Sequence, residues 1–536
     1  MTETISSKNS AAKFLKLDER GRRALESLAP RLQELCSVNP ESVPVMEAKT
    51  SALTDSVIAE LPVIKGEDLE SVFSRARKVA KAWVATDIRE RKRLVLAFVD
   101  TVLANRDAIL DVIQWENGKS RGSAFEEVYD VVLNSRFYAK HAAKMLRSKR
   151  VPGAMPGLTH TQINYIPKGV VGIISPWNYP FNLAASDAIA AIMAGNAIVL
   201  KPDSQTPFSA LVVKSLMERA GLPKDLFQVV IGAGRELGTP MIELSNYMMF
   251  TGSSATGRSI AERAGKNLIG CSAELGGKNA MIIRADAPID RAVAGAVKAC
   301  FSSSGQLCIS IERLFVHRDI WDEFVPKFVA QVKKMNLDAS MDWKADIGPL
   351  INDSQVEKVT EHINDAVAKG AKVLAGGRLV PEVSKRAFLP TVLEGVTPDM
   401  QVFGEETFGP LVSLYKFDTD EQALSLVNDT NYGLNSAIWS GDVKIAQSMA
   451  LRVEAGTVNI NDGYAAAWGS IHAPSGGFKD SGLSHRHGEE GIVKYTDVQT
   501  VATQRLMPIG APKLLGEKVW ANLLHSYLKV QQRFDL

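Results

Sequence analysis

Cysteine is scarce in this 536-residue chain, which holds only Cys36, Cys271, Cys300 and Cys308, with no CxxC pair and no histidine at metal-ligand spacing. That pattern excludes a disulfide framework and a structural zinc site, and no metal is expected. An excess of one charge is also missing: 62 Lys and Arg stand against 60 Asp and Glu, a formal charge of +2. There is no global electrostatic footprint for nucleic acid or an anionic membrane. No apolar run approaches the roughly 20 residues that span a bilayer. The longest, around Ala188–Gly195, is interrupted at Asn196 and ends at Lys201. The first residues, MTETISSKNSAAKFLK, lack the apolar core of a secretory signal, so the expected location is the cytoplasm, where thiols stay reduced. What remains is an ordinary globular composition, 46% hydrophobic and 23% charged, long enough for two or three domains and suited to small-molecule partners.

One stretch stands out. It begins Glu274-Leu275-Gly276-Gly277-Lys278 and ends Ser304-Gly305-Gln306-Leu307-Cys308. A carboxylate precedes a glycine pair, and a cysteine follows a small Ser/Gly run, the layout of a general base and a nucleophile. A nucleophilic thiol needs an open approach path, and Ser302–Gly305 put little bulk in front of Cys308. Taken alone, however, a Cys in a half-apolar segment is more often a buried small hydrophobe.

Residues 1 to about 60 read as a poorly structured start with a helix near Gly21–Leu35. Helical spacing then runs through Leu69–Leu103, where the Arg89–Arg93 charge run reads as a solvated face. A further helix, Ala124–Leu146, follows the Asn117-Gly118 turn. From Val170 the pattern alternates. Buried-type strands at 170–174, 197–200, 227–230 and 247–250 are separated by helical segments at 183–194, 208–220 and 258–264. This predicts an α/β fold with a parallel sheet covered on both faces. Polar residues after the first strand, Ser175-Pro176-Trp177-Asn178-Tyr179-Pro180, sit where such sheets bind ligands, with two prolines stiffening the loop. Gly252 and Gly257, between a strand and a helix, would let backbone amides face a phosphate, although a simple glycine turn looks the same. The alternation resumes after Cys308, with a domain boundary placed near Glu274.

Seven motifs in order then carry a resemblance: PWNYP at 176–180, KPDSQTP at 201–207, FTGSSATG at 250–257, ELGGK at 274–278, GQLC at 305–308, EETFGP at 405–410 and PSGGFKDSG at 474–482. Over roughly residues 60 to 505 the chain resembles the aldehyde dehydrogenase superfamily. The resemblance implies a Rossmann-like cofactor domain (61–150 and 168–273), an α/β catalytic domain (274–489) and a small β oligomerisation element (151–167 and 490–505). An N-terminal extension (1–60) and a C-terminal tail (506–536) flank them. It also implies that Cys308 attacks an aldehyde, Asn178 stabilises the oxyanion and Glu274 activates the water that hydrolyses a thioester. On the cofactor side it implies Trp177, Lys201, Pro202, Asp203, Ser204, Gly252, Ser253, Gly257, Leu275, Glu406 and Phe408. NAD-preferring members commonly carry Glu where this chain has Ser204; a neutral serine beside Lys201 implies NADP, with NAD usable.

The variant is most similar to succinate-semialdehyde dehydrogenases of the actinobacterial type, with two departures. Asp187 stands where many members carry a Lys near the proton-relay path. Ser302 stands where better-known succinate-semialdehyde enzymes place an Arg for the substrate carboxylate. CoA-acylating relatives lack the Glu of ELGGK, so Glu274 favours hydrolysis, and the complete set Asn178, Glu274 and Cys308 argues against a non-catalytic scaffold. Another aliphatic or aromatic aldehyde is the alternative substrate. A homodimer or homotetramer follows by analogy.

Overall fold

The computed structural model describes residues 19–153, 159–505 and 510–534. Two parallel-type sheets organise it, as the strand-helix alternation predicts. The first has six strands in the order Gly482–Leu483, Gly270–Glu274, Tyr247–Thr251, Val170–Ile174, Ala197–Lys201, Phe227–Val229. All neighbours are parallel except the first pair, in which Gly482 faces Glu274. Strand order reverses about Val170–Ile174, which makes the carboxyl ends of Val170–Ile174 and Tyr247–Thr251 the crevice where ligands bind in open sheets. The central strands are largely apolar because helices cover both faces; Val171, Leu200 and Val229 lie in a large core with Phe73, Ile189 and Phe208, while Met248 and Phe250 pack with Ile260 and Leu275.

The second sheet has seven strands, ordered Lys372–Ala375, Thr391–Glu394, Leu411–Phe417, Ile311–His317, Asn279–Ile283, Asn435–Trp439, Thr457–Ile460. Only the first pair is antiparallel. The chain passes from one sheet to the other between Glu274 and Asn279, so the ELGGK segment lies at their junction.

Helix starts follow local chemistry. Pro180 and Pro207 occupy the first turns of Pro180–Ala194 and Pro207–Arg219, where a missing N–H costs nothing. The free amides behind them are capped from a distance. Glu127 accepts from Phe181 N and Asn182 N at 2.8 and 3.0 Å, and Glu116 accepts from Phe208 N and Ser209 N at 2.8 Å each. Two buried carboxylates thus fix the loops at the crevice.

Two expectations need correcting. Arg91, read as part of a solvated face, is buried and donates to the carbonyls of Met193, Trp83 and Val84 at 3.2, 3.0 and 2.9 Å. A guanidinium can leave its helix surface when backbone carbonyls offer the acceptors it needs. Within the supposedly unstructured first sixty residues, Val45–Thr50 and Val57–Val63 form an antiparallel hairpin. Its outer strand is mostly exposed, so no clean apolar alternation marks it.

Lys149–Pro152, Thr159–Pro167 and Thr496–Gln504 form a separate three-stranded sheet, with Thr496–Gln504 along one edge. Beyond it Glu517–Phe534 is helical. The polar start of the chain lies outside the described residues. Among the described residues no helix is long and apolar enough to cross a membrane, and no three His, Cys, Asp or Glu are grouped to hold a metal.

Candidate active site

A cavity of about 110 Å³ lies between the two sheets, and Asn178, Glu274 and Cys308 all line it. Each comes from a different element. Asn178 follows strand Val170–Ile174, Glu274 ends strand Gly270–Glu274, and Cys308 follows helix Ile289–Phe301. The other three cysteines are unpaired thiols away from the cavity.

The approach to Cys308 is built differently from the open path expected of a Ser/Gly run. Ser303, Ser304 and Gly305 adopt consecutive left-handed conformations, φ 52°, 57° and 69°, and turn inward rather than outward. A Cβ on Gly305 would come within 2.0 Å of Gly409 O, so no other residue fits there. The strained turn is held by Ser303 N donating to Ser123 Oγ at 3.0 Å and Ser304 Oγ donating to Gly348 O at 2.7 Å. Non-glycine residues in this region cost about 1–3 kcal/mol each and persist only where their surroundings enforce them. Asn279 Nδ2 then ties down the Cys308 carbonyl at 2.7 Å. The thiol itself is half-buried.

Asn178 Nδ2 donates to Gln306 O at 3.2 Å, which fixes the amide plane and leaves its second hydrogen for the cavity. Its backbone carbonyl accepts from Lys119, a buried ammonium paired with Glu127 at 2.8 Å. Glu274 is buried, and its Oε1 has no hydrogen-bond partner among the described residues. Burial lifts its carboxyl to about 7, with Arg486 and Lys494 opposing and Asp187 adding to the rise. Burial likewise pushes the Cys308 thiol up to about 12, while Arg486 pulls it down and Glu406 and Glu274 push it further up. A carboxyl whose proton affinity lies near neutrality is matched to general-base work.

The remaining predicted residues gather on the other side of the ELGGK segment. Trp177 and Phe408 meet edge to face, centroids 5.4 Å apart at 90°. Phe408 itself is left-handed at φ 58°. Glu312 enforces that conformation by accepting from Thr407 N and Phe408 N at 2.9 Å, and Gln355 donates to both carbonyls at 2.9 Å. Glu406 accepts from Gly277 N at 2.8 Å, and burial followed by Glu312 raises its carboxyl to about 7. Gly257 packs on Leu275 so closely that a Cβ would lie 2.3 Å from Leu275 Cδ2. Ser253 caps the helix Ser254–Lys266, accepting from Thr256 N at 3.3 Å, and Gly252 precedes it.

Lys201 is buried and, among the described residues, donates only to Pro202 O at 3.0 Å. Burial lowers its proton affinity, and Asp203 opposes that. Ser204 lines a second cavity of about 250 Å³ with Lys49, Gln205 and Arg386. These residues fit a dinucleotide. The N-terminus of the helix Ser254–Lys266 suits a pyrophosphate, an ammonium with unspent donors suits a ribose or its phosphate, and no carboxylate stands at position 204.

Several participants were not found in the sequence. Arg486 and His487 line the cavity, as do Glu126, Asp130 and Trp468. Arg486 clamps Asp187 at 3.2 and 2.8 Å. Glu126 is held by Tyr179 Oη at 3.1 Å and Tyr464 Oη at 3.0 Å. Only the position of Asp187, where a Lys is usual in the resembled family, hinted that a cation from elsewhere would appear. Ser302 lies outside this cavity, in an adjoining one of about 550 Å³ with Lys298 and Lys334, and Glu126 lines both.

The chain belongs to the aldehyde dehydrogenase family, whose model matches residues 38–501. A Mycolicibacterium smegmatis protein provisionally named succinate-semialdehyde dehydrogenase [NADP(+)] is 46% identical over 524 residues, 98% of each chain. Among solved structures, succinate-semialdehyde dehydrogenase from Burkholderia pseudomallei superposes with a TM-score of 0.82 at 33% identity, covering 86% of this chain and 95% of that one. Betaine aldehyde dehydrogenase from Staphylococcus aureus in complex with NAD+ gives 0.86 at 30% identity, covering 91% and 98%.

Proposed function

We propose that this chain oxidises an aldehyde to a carboxylic acid through a thioester on Cys308, with NADP preferred and NAD usable, and that succinate semialdehyde is its substrate. The observation that carries the reading is the convergence of Asn178, Glu274 and Cys308 on one cavity. Cys308 Sγ adds to the carbonyl carbon, and the free Asn178 N–H meets the developing oxyanion, an uncharged donor that costs little to bury. The nicotinamide, when bound, supplies the hydride acceptor. Glu274 then takes a proton from the water that attacks the thioester, and the acid leaves with Cys308 restored.

Lys201 and Ser204 support NADP, as does the name of the M. smegmatis relative. That name and the B. pseudomallei neighbour support the substrate. With Ser302 in place of an arginine, we assign the substrate carboxylate to Lys298, which lines the adjoining cavity with Ser302 and lies 4.0 Å from Glu126. A second reading is favoured by one observation. Trp468 begins an aromatic ramp through Tyr129 and Phe125 to Trp343, with centroids 6.1–6.4 Å apart, that leads from the cavity to the surface. Such a wall suits an apolar aldehyde.

An aldehyde panel with both cofactors tests this. Succinate semialdehyde should exceed its methyl ester sharply in kcat/KM, and equal rates would move the assignment to the apolar reading. Loss of turnover in Cys308→Ala is required by either. Location in the cytoplasm and assembly as a homodimer or homotetramer belong to the same proposal. The second is supported by the exposed edge strand Thr496–Gln504, since unpaired edges are costly unless another chain covers them.

A further inference from the structure

Arg486 lies outside every sequence motif, yet it is built into the wall of the cavity that holds Glu274 and Cys308. Its main chain is pinned by a two-way bridge, Ser475 N to Arg486 O at 2.9 Å and Arg486 N to Ser475 O at 2.7 Å. Its side chain is anchored twice. Nε and Nη2 donate to the two oxygens of Asp187 at 3.2 and 2.8 Å, and Nη2 also donates to Thr251 Oγ1. Thr251 is the register partner of Glu274 in the neighbouring parallel strand. Strands in a sheet lie about 4.8 Å apart, so the anchor on Thr251 brings the guanidinium beside Glu274. Among the described residues no acceptor meets Nη1 of Arg486, and no donor meets Oε1 of Glu274.

We propose that Arg486 is a positioning residue for thioester hydrolysis: anchored by Asp187 and Thr251, it holds its positive charge at the cavity wall it shares with Glu274 and keeps that base anionic. This rests on the reading of Cys308 as nucleophile and Glu274 as base. Asp187 is then the anchor of the arginine. A guanidinium stays charged throughout the working range, so the pair is a fixed field rather than a relay.

The surrounding charges are consistent with that role. Against the burial that disfavours its charge, Asp187 and Glu274 hold the Arg486 guanidinium above its usual range. Lys494 also faces Glu274, but burial lowers it to about 8, so near neutrality it is the less constant cation. His487 is lowered to about 4 by burial and by Arg486, and Asp130 is raised to about 7 by burial. Cys271 faces Lys494, and Tyr138, Tyr247 and Tyr495 face Asp187; all four are pushed above their ordinary values by burial. Glu406 faces the thiol from the far side. Arg486 is thus the permanent positive charge acting on both Glu274 and Cys308.

The two members of the ion pair should therefore act in opposite directions, which a merely structural bridge would not do. The test is the pH dependence of acyl-enzyme breakdown, followed by quenched-flow mass spectrometry of the Cys308 adduct, in the unaltered enzyme, Arg486→Gln, Arg486→Lys and Asp187→Asn. An opposite charge within about 4–6 Å shifts a carboxyl by roughly 1–3 pH units. The acid limb should move up by about one unit or more in Arg486→Gln, move down in Asp187→Asn, and stay near its place in Arg486→Lys. Alkylation of Cys308 by iodoacetamide without cofactor gives a second readout. At fixed pH it should slow in Arg486→Gln and quicken in Asp187→Asn. Shifts in the same direction, or equal loss of rate with neither limb moving, overturn the proposal. If Arg486→Gln does not fold, the downward shift in Asp187→Asn decides alone. An acyl adduct on any residue other than Cys308 would overturn the underlying reading and this one with it.

Discussion

Asn178 Nδ2 and the carbonyl of Gln306 are joined at 3.2 Å, so the amide assigned to the oxyanion is oriented by the same loop that carries the thiol two residues later. Donor and nucleophile are therefore placed as one unit. Asn178→Ala should lower kcat by roughly 10²–10³ with little change in cofactor affinity. Steady-state kinetics beside a fluorescence titration with NADPH would check it, and a loss confined to KM would count against the role.

The carboxyl of Glu274 is raised to about 7 by burial, and the base works only when ionised. Below that value it is protonated, so the rate of thioester breakdown should fall about tenfold per pH unit on the acid side and level off above it. Glu274→Gln should remove that limb and let the acyl-enzyme accumulate. Mass spectrometry of the quenched enzyme would show an adduct on Cys308, and its absence would mean that Glu274 acts before acylation.

Lys278 and Glu312 form a buried pair at 2.6 Å, and Glu312 also holds the backbone of Thr407 and Phe408. Glu312→Ala leaves an uncompensated ammonium and two unsatisfied amides. A destabilisation of about 3–5 kcal/mol is expected, with weaker NADPH binding, because the left-handed Phe408 loses its support. Denaturant unfolding and the same fluorescence titration measure the two effects. A variant that binds NADPH normally would show that the loop holds without Glu312.

Gly257 and Leu275 are in such close contact that a methyl on the first must displace the second. Gly257→Ala should weaken cofactor binding, and Gly257→Ala with Leu275→Ala should recover part of the loss. A double-mutant cycle on Kd reports the coupling directly, and strict additivity would show that the two do not meet.

Ser204 decides the cofactor in our reading. Ser204→Glu places a carboxylate beside the site of the extra phosphate, and the ratio of NADPH to NADH affinity should drop roughly tenfold or more. Lys298→Gln addresses the substrate in the same way. Because Lys298 is exposed, KM for succinate semialdehyde should rise only about two- to fivefold, with the methyl ester unaffected.

The fold was legible where burial dictates residue type. Strands such as Val170–Ile174 are apolar on both faces and were placed to the residue. The hairpin at residues 45–63 was not, because its outer strand exposes Val45, Met46 and Glu47 alike and buries only Lys49. The candidate site was legible to the extent that Asn178, Glu274 and Cys308, picked out by motif, line one cavity. Arg486 was invisible because its meaning depends on Asp187, 299 positions earlier, and no spacing rule reaches that far. Arg91 misled for the same reason, since a charged residue looks solvated until its acceptors, distant carbonyls, are brought to it.

The antiparallel pairing of Gly482 with Glu274 bears on how the enzyme comes into being. Domains tend to form from the N-terminus while the chain is still being made. Here the edge of the cofactor sheet next to the base stays open until residues 482–483 emerge, and its charged neighbour at position 486 follows only then. From the emergence of Cys308 until residues 482–486 follow, the nascent chain holds that thiol while the strand of Glu274 still lacks its edge partner.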